Sequence, residues 1–477
     1  MHAYGLLAPL LVSFACGGPR SQGVPIPVAP VAAPGVASVS AVPTTPPPPE
    51  VAAMLAEVSP QQIQATLTQL VAFGTRHTLS DTTSEARGIG AARRWIKEEM
   101  ERGAQASGRV EDRAMRVEFD VHVLPPDGKR IDREVEVVNV VAVLPGQLPV
   151  ARERRYYVVG HYDSRVSDPM NRDSESPGAN DDGSGTALVI ELARVMARYE
   201  FDATLVFMAT AGEEQGLLGA RGHAEAARRA GLQIAGVLSN DIVGDPSDPR
   251  GGADHRTQIR VFSEGLPTAL GLRDLAEARQ VSALGEAPSR QLARHVAEVA
   301  ARQGLAVRPV LVFRPDRFLR GGDHLAFTEL GFPAIRFTEV AEKYDRQHQD
   351  VREVEGRRYG DRLEHVDVGY LAEVARLNAA ALAHLARAPS VPGDVQLMAD
   401  ALSIDTTLRW TASPEPDVAG YEVLRRATTA PDWEYAHDLG AATVATLPYS
   451  KDDWLFAVRA YDTAGYRSPA VFPALAR

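Results

Sequence analysis

A few short stretches of this sequence carry side chains suited to holding metals and moving protons. His161-Tyr162-Asp163 sets an imidazole two residues before a carboxylate, and Asp181-Asp182 lies in the Gly-rich turn 177–185. Glu213 and Glu214 stand side by side, Asp241 follows Ser239-Asn240, and a second histidine, His348, comes far along the chain after Tyr344-Asp345-Arg346-Gln347. Taken singly, these are weak signals: a His-x-Asp is most often a satisfied surface pair, and an Asp-rich turn most often caps a helix. The adjacent glutamates are harder to dismiss, because two carboxylates just past a buried strand repel each other unless a cation lies between them. Mixed imidazole and carboxylate ligands suit zinc. Asp181, Glu214, Asp241 and one hydroxide would neutralise two such ions, which leaves Glu213 over as a general base beside an activated water.

These groups can act together only if the fold gathers them. The apolar runs 156–160, 203–210, 234–239 and 334–338 read as buried strands, whereas 117–124 and 135–144 alternate as antiparallel edge strands do. Helical patterns fill the stretches between them at 185–199, 291–303 and 368–387, and two earlier helices run from Ser59-Pro60 through Leu70 and over 85–102. Repeated strand, helix and strand predict an α/β sandwich, whose ligands collect at the carboxyl ends of its strands. His161, Glu213-Glu214 and Asp241 all stand just there.

With these residues in view, the strings HYDS at 161–164, PGANDDGSG at 177–185, GEEQGLLGA at 212–220, SNDIVG at 239–244, GGDHLAF at 321–327 and YDRQHQD at 344–350 resemble metallopeptidase family twenty-eight. These are co-catalytic zinc exopeptidases that include bacterial leucyl aminopeptidases. The resemblance covers residues 55–388 and implies a three-layer α/β/α sandwich with a mixed sheet. It implies two Zn²⁺ per chain, one held by His161, Asp181 and Asp241, the other by Asp181, Glu214 and His348, with Asp181 bridging. Glu213 matches the family's general base and Asp163 the carboxylate that orients His161. Many members carry Tyr-His-Thr at the last histidine, whereas here three residues separate Tyr344 from His348, as in a subset of the family. Asp323-His324 matches a motif whose members line the substrate side of the pocket; the alternative is that Asp323 caps the following helix. Arg314, Arg317 and Arg320 form either a solvated basic face or a receptor for a substrate carboxylate. The implied activity is removal of N-terminal residues from peptide substrates. Glutaminyl cyclase or carboxypeptidase activity on the same fold is the alternative, and a non-catalytic binding ectodomain is the reading from another class.

Composition sets the outer bounds. With 51 basic against 62 acidic residues and a net charge of −11, the chain has no basic excess for a phosphate backbone, so nucleic acid is not expected as a partner. Cys16 is the single cysteine, so no intramolecular disulfide can form. It ends a short apolar run of signal-peptide length and precedes Gly17-Gly18, which resembles a lipoprotein cleavage box. Residues 1–16 are therefore read as a signal ending at a lipidated Cys16, which places the protein in a bacterial cell envelope through an N-terminal lipid anchor; plain secretion is the second choice. Residues 17–54, rich in Pro and Ala, read as a disordered linker. Residues 389–477 alternate as a small β-sandwich that resembles a fibronectin type III domain, with Trp410 and Tyr421 as core positions. Such a domain is a candidate for binding a surface or polymer.

Overall fold

Tyr156 and Val158 are buried on one face of their strand and Tyr157 and Val159 on the other, so that strand must have cover on both sides. In the computed structural model the described residues are 39–41, 48–252, 254–268, 271–399 and 402–476. Cys16 and the signal read over 1–16 lie outside them. In chain order the elements of the first part are β1 (Val39–Ala41), α1 (Pro49–Ala56), α2 (Pro60–Ala72), α3 (Gly88–Ala106), β2 (Arg116–Leu124), β3 (Val135–Leu144), β4 (Arg154–His161), α4 (Gly183–Met196), β5 (Thr204–Thr210), α5 (Leu218–Ala230) and β6 (Gln233–Asn240). There follow β7 (Gln258–Ser263), α6 (Leu272–Gln280), α7 (Pro288–Arg302), β8 (Arg308–Val312), α8 (His324–Thr328), β9 (Ala334–Thr338), the small hairpin β10 (Arg352–Val354) and β11 (Arg357–Tyr359), and α9 (Val368–Arg387).

Eight strands form one mixed sheet in the order β2-β3-β5-β4-β6-β9-β7-β8. Its centre, β5-β4-β6-β9, is parallel, and the edge strands β2 and β3 run antiparallel as their alternation predicts. The helices α1–α4, α7 and α9 cover one face, and α5 and α8 cover the other, where Val141, Tyr157, Val159, Val206 and Met208 meet Ala220, Ala224 and Phe327. The three-layer α/β/α expectation therefore holds. The strands β7 and β8 were not anticipated, because Arg260 and Arg308 interrupt their apolar character. No helix among the described residues is long and apolar enough to cross a membrane.

The linker expectation for 17–54 needs correction at its end. Helix α1 starts at Pro49, with proline in its first turn, and buries Val51, Met54 and Leu55 against α9. The run of prolines before it hid this apolar i, i+3, i+4 face. Val39–Ala41, also within the expected linker, pairs antiparallel with Tyr435–His437 of the C-terminal part.

That C-terminal part contains β12 (Gly393–Met398), β13 (Thr406–Thr411), β14 (Val418–Ala427), β15 (Tyr435–Asp438), β16 (Val444–Leu447), β17 (Trp454–Asp462) and β18 (Ala474–Leu475). They make two sheets, β1-β15-β14-β17 and β16-β13-β12-β18, with Leu408 and Trp410 of one packed against Tyr421, Val423, Phe456 and Val458 of the other. Trp410 and Tyr421 are buried with ring centroids 5.8 Å apart, as core residues rather than ligand contacts. The sandwich is seated on the first part through buried ion pairs: Arg154 with Glu415 at 2.7 Å, Arg426 with Glu286 at 2.6 Å, and Arg459 with Glu298 at 2.6 Å.

Candidate metal centre

Because β5, β4 and β6 are neighbouring parallel strands, their carboxyl ends open at the same edge of the sheet. His161 is the last residue of β4, Glu213 and Glu214 follow β5, and Asp241 follows β6. Asp181 comes from the turn before α4, and His348 from the loop after β9 with φ at 57°. The ring nitrogen Nε2 of His161 lies 3.2 Å from Asp181 Oδ1 and 3.9 Å from Asp241 Oδ1. Nε2 of His348 lies 2.9 Å from Asp181 Oδ2 and 3.0 Å from Glu214 Oε1. Asp181 thus faces both histidines, one with each oxygen.

The donor set fits metal ions on a structural criterion. His161 Nε2 and Asp241 Oδ1 are buried without a hydrogen-bond partner, and Asp181 Oδ2 and Glu214 Oε1, also buried, have only the ring of His348 beside them, a crowding of acceptors that is costly unless a cation satisfies it. The second oxygens of two of these acids are already taken: Arg165 Nε donates to Glu214 Oε2 at 2.8 Å, and Arg336 pairs with Asp241 Oδ2 at 2.8 Å. Each acid is thereby aimed with one free oxygen inward. Two groups of atoms are close enough to share an ion, His161 with Glu213 and Asp241, and Asp181 with Glu214 and His348. His161 Nδ1 donates to the backbone carbonyl of Asp163 at 3.1 Å, which fixes the tautomer with a bare Nε2.

It is the main-chain carbonyl of Asp163, not its carboxylate, that takes the His161 Nδ1 proton. The carboxylate stands 3.5 Å from His161 Nδ1 but accepts hydrogen bonds from the backbone N–H groups of Glu213 and Glu214, both at 3.2 Å, and from the Thr78 hydroxyl at 3.0 Å. It therefore fixes the turn that carries both glutamates. Asp182 is a structural partner: it accepts from the backbone N–H of His161 at 3.0 Å and of Gly185 at 2.9 Å, tying the end of β4 to the start of α4. Burial holds Glu213 well above the usual carboxylate range, with Asp241, Glu214 and Asp323 pushing the same way and His161 opposing. Burial and like charge of this kind mark a site that favours an added cation.

The sequence profile of peptidase family M28 matches residues 139–381, a little over half of the chain. The chain belongs to peptidase family M28. It is 43% identical over 430 residues to a protein of Pyrenophora teres named a probable zinc metalloprotease, covering 90% of this chain and 87% of that one. A protein of Leptosphaeria maculans with the same designation is 44% identical over 424 residues, covering 89% and 96% respectively. Matches this long cannot be confined to the peptidase part and must reach into the C-terminal sheets. Among solved structures, the aminopeptidase LapA of Legionella pneumophila is similar with a TM-score of 0.49 and 21% identity, covering 70% of this chain and 74% of LapA.

Within this M28 site several contributors escaped the sequence reading. Arg336 is fully buried in β9, a charge in the middle of a five-residue strand; that oddity was a usable signal. Asp361 Oδ2 accepts from the backbone N–H groups of Asn180 at 2.8 Å and Asp181 at 2.7 Å, and so holds the turn carrying the shared acid. Arg76 is buried and donates to the carbonyls of Leu70, Tyr162, Pro177 and Gly178, stapling the Gly-rich turn beside β4. Arg165 also lies 2.7 Å from His348 Nδ1. A guanidinium can only donate, so Nε2 of His348 carries the proton here, and metal ligation through Nε2 needs the other tautomer.

Asp323 and His324 are both buried. The Thr210 hydroxyl donates to Asp323, which does not cap α8, and His324 Nε2 donates to the carbonyl of Pro315 at 2.8 Å. Arg317 is not part of a solvated face either: its side chain is largely covered and paired with Asp316 at 3.2 Å and Glu342 at 2.6 Å.

Proposed function

We propose that this M28 protein is a zinc-dependent exopeptidase, an aminopeptidase that holds two zinc ions and uses Glu213 as general base. The observation that carries this reading is the convergence of buried ligand atoms from His161, Asp181, Glu214, Asp241 and His348 at one edge of the sheet, with Glu213 as a further carboxylate beside them. His161, Asp181 and Asp241 hold one ion, and Asp181, Glu214 and His348 the other. When bound, zinc lowers the pKa of water and polarises a carbonyl oxygen. Glu213 stands on a turn pinned by Asp163, accepts the proton of the attacking water and delivers it to the leaving amine. Asp163 and Arg336 keep the acids in place throughout, because each of their bonds is made before substrate arrives.

The test pairs elemental analysis with turnover of dipeptide amides. Wild type is expected to carry about two zinc ions per chain and to release the N-terminal residue. Glu213→Gln should keep the zinc and lose at least about a hundredfold in kcat. A Glu213→Gln enzyme with wild-type turnover, or a chain that takes up no zinc on reloading, would overturn the reading.

A further inference from the structure

The cavity of about 350 Å³ in front of the centre has an uneven charge pattern. Its acids are Asp181, Glu213, Glu214 and Asp241, all of them ligands or base in the reading above. Facing them are four arginines, Arg130, Arg165, Arg317 and Arg320. Arg165 is committed to Glu214 and His348, and Arg317 to Asp316 and Glu342. The other two are different. Arg130, exposed on the loop between β2 and β3, donates to the backbone carbonyl of Glu214, and no carboxylate among the described residues pairs with it. Arg320 donates to the neutral amide of Gln347 at 2.9 Å. Its nearest acid, Glu342 at 3.6 Å, already receives Arg260 at 2.8 Å and Arg317 at 2.6 Å.

One guanidinium with no carboxylate partner and one that shares a single, more distant carboxylate with two other arginines stand on the wall of one cavity, and with every facing acid occupied by the chemistry they make a receptor for an anion. We propose that Arg130 and Arg320 receive a carboxylate carried by the substrate next to the bond that is cut, so that the enzyme's substrates are short peptides with an acidic group at that position. This rests on the aminopeptidase reading above. The carboxylate has two possible sources, the side chain of an acidic N-terminal residue or the free C-terminus of a dipeptide. Guanidinium pairs planar carboxylates through parallel hydrogen bonds, and a neutral amide of the same shape cannot replace that charge.

The experiment uses the full-length, zinc-loaded chain with Glu213→Gln, so that binding is read by calorimetry without turnover. Three ligands are compared: Asp-Ala-amide, Asn-Ala-amide and Asn-Ala with a free C-terminus. One of the two carboxylate-bearing ligands should bind at least about tenfold more tightly than Asn-Ala-amide, as charge-assisted bonds of this kind provide. Which one does so identifies the source. Arg130→Ala combined with Arg320→Ala should erase the difference, bringing all three ligands within about twofold of one another in that variant. Binding of all three ligands within twofold of one another, or a preference that survives the double variant, overturns the proposal. Hydrolysis by wild type is scored separately. Cleavage of Asn-Ala-amide with no carboxylate preference sinks this inference alone, whereas a carboxylate preference in binding with none of the three cleaved sinks the aminopeptidase reading alone.

Discussion

Asp163→Asn is the sharpest test of how the site is held. The substitution keeps size and shape but turns one acceptor oxygen into a donor. Thr78 can adapt, since a hydroxyl may accept as well as donate. The backbone N–H groups of Glu213 and Glu214 cannot adapt, and each uses a different oxygen of Asp163 at 3.2 Å. Whichever way the amide turns, one of these N–H groups faces another donor and is left unsatisfied, at about 1–3 kcal/mol. The variant should therefore unfold at about 2 kcal/mol less than wild type in the metal-free state. Because the same turn aims Glu214 Oε1 inward, zinc should bind about 10- to 100-fold more weakly. Urea unfolding after chelation measures the first quantity, and competition with a chromophoric chelator the second. A variant that loses stability but holds zinc as wild type does would show that Asp163 supports the fold without setting the ligand geometry. A variant unchanged in both would show that these bonds contribute nothing.

Three further outcomes are expected. Removing zinc with a chelator should lower Tm, because the inward-facing acids then repel one another; an unchanged Tm counts against a metal at this position. Burial, the largest influence on both, pushes His295 down to about 4 and His384 to about 3, so as pH falls the unfolded chain takes up their protons first and stability is lost between about pH 6.5 and 4. Wild type should lose about 2 kcal/mol more than His295→Gln between pH 7 and 5 in urea titrations, and equal losses would refute the assignment. Arg459, buried between Glu298 and Glu422 at 2.6 Å from each, should cost about 3 kcal/mol when replaced by Leu. Removing Glu298 as well should recover part of that loss in calorimetry.

What the sequence made legible follows from locality. His161, Glu213-Glu214 and Asp241 each end a buried apolar run, so their position at one edge of the sheet follows from strand periodicity alone. Arg336 announced itself as a charge in such a run but was passed over, because the run still read as a strand. Asp361, Arg165 and Arg130 reach the site from loops with no periodicity, and their partners are distant in sequence, so no local pattern points to them. That Asp323 and His324 are enclosed by the fold was not legible either, because a motif fixes neighbours along the chain, not how deeply they are buried. The start of α1 was hidden for a different reason: prolines that open a helix and prolines in a tether look alike until the apolar face behind them finds a partner.

The ionic seam between the peptidase body and the C-terminal sheets has a consequence for biosynthesis. The last strands leave the ribosome after the body is complete, so for a time the surface that will receive them stands open. A greasy surface in that interval invites neighbours to stick. This one presents Arg154, Glu286 and Glu298, which water solvates well, among apolar Tyr156, Ile234 and Leu292, so the charges should make the open surface less sticky than an apolar one of the same area. The same chemistry makes the seam selective: a borrowed sandwich lacking Glu415, Arg426 and Arg459 would strand charges at the join rather than slide into place. Lineages carrying this enzyme should therefore change the two sides of the seam together or not at all.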